Sequence, residues 1–120
     1  MPVRVEPDLR EVAREPAPVL GAAEHGNRVR RYLEGEPIAG WERRGHARRR
    51  FERCVAGLVA ETDGPLAIVS HATVLALYLG LTHAEWTAIP LPAVAVADPR
   101  TRRLLRPFQT ADEFVAGTGG

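Results

Sequence analysis

The stretch that most constrains this chain is Leu66-Ala67-Ile68-Val69, a continuous apolar run followed by Ser70-His71 and then by the apolar segment Thr73–Leu81. Four successive apolar residues leave no polar face, so the pattern predicts a strand covered on both sides, as in a parallel sheet. A strand, a short polar turn and an apolar helix make the βα step of an α/β domain. Ligands of such sheets bind beyond the carboxyl ends of the strands, which puts His71 where chemistry is expected. Taken alone, a histidine at a strand end is more often a hydrogen-bonded residue of the fold.

The flanking segments fit the same class. Val3 and Val5 alternate with Arg4 and Glu6, which reads as a short strand stopped by Pro7-Asp8. Leu9-Arg10-Glu11-Val12 follows, then an irregular Pro-rich stretch, Glu15-Pro16-Ala17-Pro18. Residues 22–34 form a short helix with Val29 and Leu33 on one face, closed by Gly35, Pro37 and Gly40. From Arg43 to Glu61, apolar residues at Ala47, Phe51, Cys54, Val55, Leu58 and Val59 mark the buried stripe of a long helix. His83–Ala88 reads as a helical turn, Ala93–Ala97 as a strand, Asp98-Pro99-Arg100-Thr101 as a turn, and Leu104-Leu105 as the start of a returning strand. Residues 1–116 make one domain, and 117–120 (Gly-Thr-Gly-Gly) a flexible tail.

Composition narrows the function classes. Sixteen arginines and no lysine face fifteen acidic residues, a net charge of +1, so global charge demands neither nucleic acid nor an anionic membrane. Cys54 is the one cysteine, which excludes an internal disulfide framework and fits a reducing cytoplasm. No stretch reaches the roughly 20 apolar residues of a membrane span, and the first residues lack a secretory apolar region, so a cytoplasmic protein is expected. There is no Gly-rich phosphate loop, no Cys/His metal spacing and no G-x-S-x-G elbow.

Taken in order, several short motifs carry a resemblance. Val69-Ser70-His71-Ala72 precedes an apolar helix and follows an Arg-rich one, and it resembles the second-histidine motif of the histidine phosphatase (phosphoglycerate mutase-like) family. Val3–Val12 is similar to that family's middle strand and Leu-x-Glu element. Gly40-Trp41-Glu42, Phe51 and Ala93–Asp98 resemble its later elements, so the likeness runs in order through residues 3–106. It implies a three-layer α/β/α fold and hydrolysis of a small phosphorylated substrate, a phosphate monoester, through a phosphohistidine, with no metal or organic cofactor. Phosphoryl transfer spreads negative charge over three oxygens, so such a site gathers cations and N–H donors around a nucleophile. By resemblance His71 holds the phosphate, backbone N–H groups from Ala72 onward assist it, and Glu11 donates a proton to the leaving oxygen.

The departure from the family is large. Its nucleophile lies in an Arg-His-Gly triplet ahead of all these elements, and this sequence contains no such triplet. Glu24-His25-Gly26 is the nearest, and it falls after the Glu11 element; His46, in Arg44-Gly45-His46, is also on the wrong side. The expectation is an N-terminally truncated domain, inactive alone, with Leu66–Val69 left as an unpaired apolar edge. Three explanations are open: a start placed too late, a decayed gene, or an edge covered by a second copy or a partner. A non-catalytic, partner-dependent interaction module is therefore the alternative function.

Bland readings compete at each residue. Glu11, between Arg10 and Arg14, has the setting of a solvated ion-pairing side chain. Trp41 reads as a core or lid aromatic, and Glu42 as a charge favoured at a helix N-terminus. Arg43, Arg44, Arg48, Arg49, Arg50 and Arg53 put six arginines in eleven positions, and Arg43, His46, Arg50 and Arg53 align on one stripe. Such a stripe can follow a phosphate backbone, but Glu42 and Glu52 interrupt it and no recognition motif accompanies it. A solvated helix face is the expectation, and nucleic acid is not the expected partner.

Overall fold

The computed structural model describes residues 4–16, 21–90 and 92–118. Among them are helices α1 (Ala22–Leu33), α2 (Arg44–Glu61), α3 (Ala72–Leu79), α4 (His83–Thr87) and α5 (Ala111–Thr118), with strands β1 (Ala93–Ala97) and β2 (Leu104–Thr110). The chain is thus a mixed helix-and-strand protein whose one described sheet is a two-stranded antiparallel hairpin.

The core gathers on α2 and α3. Ala47, Phe51 and Val55 of α2 are buried as the stripe predicted, whereas Val59 is 39% exposed because the last turns of the helix run past the packed region. Helix α3 buries Val74, Ala76, Leu77 and Tyr78, and Phe51 meets Tyr78 with ring centroids 5.0 Å apart. Val29 and Tyr32 of α1 and Val12 of the N-terminal segment complete the packing. Helix α3 stops at Gly80, whose φ of 68° lets the Leu81 N–H turn back to the Ala76 carbonyl, a closure that a Cβ would strain.

Two expected strands do not form. Leu66–Val69 is extended coil with no strand beside it among the described residues. Only Ile68 packs on the core, while Leu66 is 40% and Val69 93% exposed. An apolar run becomes a strand only when a neighbour takes its N–H and C=O groups, so periodicity alone could not decide this point. Val5 is likewise coil and exposed, ahead of a 3-10 turn at Pro7–Leu9; Val3 lies outside the described residues.

The hairpin formed where the sequence placed it, with the strand that begins at Leu104 returning antiparallel to β1 after the Asp98–Thr101 turn. Its register pairs Ala93 with Thr110 and Val94 with Gln109, then slips before Val96–Arg106 and again before Ala97–Leu104. Pro107, which has no N–H to give to a ladder, sits in the irregular part. Helix α5 was not foreseen; its Thr110 cap and the Glu113 carboxylate exchange hydrogen bonds with each other's backbone N–H groups. It takes in Gly117 and Thr118 of the expected tail, and Gly119 and Gly120 lie outside the described residues.

Candidate functional site

The segment carrying Glu11 is anchored from below by α2. The Arg50 side chain is 2% exposed, and its guanidinium donates to both Glu42 carboxylate oxygens at 2.9 Å. The same group donates to the carbonyls of Asp8, Arg10 and Glu11 at 2.8, 2.9 and 3.1 Å. Glu42 also accepts from the Ala13 N–H at 3.1 Å, and backbone bonds between Glu42 and Ala13 and between Glu15 and Gly40 run alongside. This bidentate contact holds the Glu42 carboxyl down at about 2, and burial first, with the Glu42 charge second, pushes the Tyr32 phenol up to about 12.

These two residues correct the sequence reading. Arg50 is not part of a solvated arginine face, and Glu42 is not a mere helix-end charge. Of the stripe Arg43, His46, Arg50 and Arg53, Arg50 is buried and the other three are exposed. An arginine every three or four residues looks the same in sequence whether its face is wet or dry.

Above this anchor, the Glu11 carboxylate reaches the N-terminus of α3. One oxygen accepts from the N–H groups of Val74 at 2.7 Å and Val12 at 2.9 Å, and the other accepts from Thr73 at 3.1 Å. Orphan N–H groups and the positive end of the helix dipole make that position favourable for an anion, and Glu11 takes it. His71 is the N-cap residue of α3, with an exposed side chain that makes no capping bond, and Ala72 opens the helix. The Ser70 hydroxyl donates to the Leu9 carbonyl at 2.6 Å. The Leu-Arg-Glu and Val-Ser-His-Ala elements, 60 residues apart at their first members, are therefore joined by the Ser70 bond, and Glu11 adds two more to Thr73 and Val74 just past the second element.

Four residues border this place: Arg14 and Trp86, which have no site role in the sequence reading, and His25 and Trp41, read there as part of the triplet nearest to Arg-His-Gly and as a core or lid aromatic. Arg14 reaches the Thr73 hydroxyl at 3.4 Å and lies 4.5 Å over the Trp41 ring. His25 of α1 stands between Trp41 and Trp86, at 6.3 and 6.4 Å between ring centroids. Burial first and the Arg14 charge second hold the His25 imidazole below its ordinary range, with Glu11 pulling the other way. The Trp86 indole N–H is buried without a hydrogen-bond partner. The sequence signals were the spacing of Arg14, three residues past Glu11, and the short motifs around His25 and Trp41; Trp86 had none. His46 and His83 lie elsewhere, His46 on Glu42 at 2.5 Å and His83 stacked on Trp86.

What this arrangement does chemically is hold an oxyanion, the Glu11 carboxylate, on the N–H donors of one helix end, with the Arg14 guanidinium on Thr73 beside them and His71 at the cap position. Among the described residues no three His, Cys, Asp or Glu side chains are grouped to hold a metal ion, and no helix is long and apolar enough to cross a membrane. No protein-family profile, curated protein or solved structure matches this chain.

Proposed function

We propose that this chain carries part of a histidine phosphatase-type phosphoryl-transfer site, of the three-layer phosphoglycerate mutase-like class. Its substrate is a small phosphate monoester. His71 and the backbone N–H groups following Ala72 hold the phosphoryl oxygens, and Glu11 handles the leaving-group proton. The observation that carries the reading is the Glu11 carboxylate seated on the N–H groups of Thr73 and Val74. Two sequence elements that resemble parts of one family's active site meet at one anion-compatible helix end. An incoming phosphate takes over those donors and releases Glu11 for proton transfer. The sequence holds no Arg-His-Gly nucleophile, so the chain by itself forms no phosphohistidine at that motif.

Two measurements test this. Titration with inorganic phosphate, followed by amide NMR, is expected to shift Ala72, Thr73 and Val74 first, with tighter binding in Glu11→Gln, where the competing charge is gone. Unmoved amides at millimolar phosphate refute the site. An aryl phosphate is expected to be turned over at the buffer rate; turnover abolished by His71→Ala refutes the missing-nucleophile half. The exposed Leu66 and Val69 favour a second reading, a partner-dependent module without chemistry, which predicts no phosphate response and a change in hydrodynamic size when Val69→Lys is made.

A further inference from the structure

At the far end of α3, about 12 Å along the helix from its N-terminus, two adjoining cavities form one trough. One, of about 410 Å³, lies between α2, the α3 C-terminus and the β1–β2 turn. The other, of about 340 Å³, continues past Gly80 to the end of α1 and the start of α4. Both are lined by Arg48, Leu77, Gly80 and Leu81. Together they span the size range of sites for small organic ligands.

The charge of the trough is lopsided. Arg48 and Arg102 share a single carboxylate, Glu52. Arg44 and Arg103 have no carboxylate within ion-pair distance among the described residues. Of the two lining acids, Glu34 is paired with Arg30 at 3.1 Å, and Glu85 accepts from the Thr82 N–H at 2.9 Å in the α4 cap. Five guanidinium groups (Arg30, Arg44, Arg48, Arg102 and Arg103) thus stand against three carboxylates (Glu34, Glu52 and Glu85), and the carbonyl end of α3, worth about half a negative charge, leaves the trough with a positive excess. Leu77 and Leu81 give both cavities an aliphatic part of their lining.

A second observation singles out the turn. Arg102 is the one non-glycine residue with positive φ among the described residues, at 61°. The turn is pinned by the Arg102 N–H on the Asp98 carbonyl at 2.7 Å and the Asp98 N–H on the Arg103 carbonyl at 2.9 Å. A left-handed backbone at a non-glycine residue is kept against a local cost, and the Arg102 guanidinium meets Glu52 of α2.

We propose that this trough binds a small organic polyanion with an apolar body, the chemistry of a nucleoside polyphosphate. The guanidinium groups take the phosphates and the leucines take the ring. The site is separate from the Glu11–His71 region and does not depend on its function.

The test is calorimetric titration of the full chain with ATP, pyrophosphate and adenosine, without divalent metal. ATP is expected to bind more tightly than either fragment. Arg48→Gln and Arg102→Gly are each expected to weaken ATP about tenfold or more, the loss of a charge-assisted contact. Glycine adopts the residue 102 conformation freely, so Arg102→Gly keeps or raises the melting temperature and separates lost binding from lost folding. Arg53→Gln, on the outer face of α2, is expected to bind ATP as the parent does. Absence of ATP binding at millimolar concentration overturns the proposal, as does ATP affinity unchanged in Arg102→Gly, or a fragment that binds as tightly as ATP.

Discussion

Replacing Arg50 by Met probes the part of the structure on which the rest leans. The substitution preserves the volume of the alkyl chain and removes five hydrogen bonds, two to Glu42 and three to the carbonyls of Asp8, Arg10 and Glu11. What remains is a carboxylate with 8% side-chain exposure and no guanidinium, beside three carbonyls that lose a donor. Breaking one side of such a pair costs about 3–5 kcal/mol, mostly the desolvation of the charge left behind. A domain of this size has about 5–15 kcal/mol in all. With an m-value of about 2 kcal/mol/M, the urea midpoint falls by about 2 M. Glu42→Gln added to Arg50→Met removes the stranded charge and is expected to restore part of the loss, so the two changes are not additive. Arg50→Lys keeps the charge but not the planar fork, and falls between. A midpoint drop under about 0.5 M for Arg50→Met, or strict additivity in the double variant, would show that the Glu42–Arg50 pair is not holding residues 8–15 in place.

Three further outcomes follow from the same geometry. Because the Glu42 carboxyl is held at about 2, below its ordinary 4.5, its contribution is fully present above about pH 4.5 and is lost as pH falls toward 2; acid unfolding curves of the parent should show this loss, and Glu42→Gln should flatten it. Glu11→Ala removes the cap of α3 and costs about 1 kcal/mol, seen as a melting temperature lower by about 4 °C and faster hydrogen exchange at Thr73 and Val74; unchanged exchange there would mean the carboxylate is not the cap. His25 titrates below its ordinary value because it is part-buried and faces Arg14, so Arg14→Gln should raise its NMR midpoint, and a lowered midpoint would contradict the assigned cause.

The sequence by itself determined those elements whose stability is local. Helix α2 and strand β1 lie where periodicity and turn residues put them, whereas α3, read through Leu81, stops at Gly80. It also singled out Glu11, His71 and Ala72, which tertiary structure brings to one helix end across some sixty residues of chain. Tertiary structure alone decided that Leu66–Val69 stays unpaired, since a strand exists only with the neighbour that takes its hydrogen bonds. It alone chose Arg50 from six adjacent arginines for burial, because the choice depends on a carboxylate and three carbonyls contributed by distant segments. Arg14 and His25 became neighbours of Glu11 for the same reason. Short-range propensity is written residue by residue, whereas desolvated charge and backbone pairing are properties of the partners a folded chain supplies.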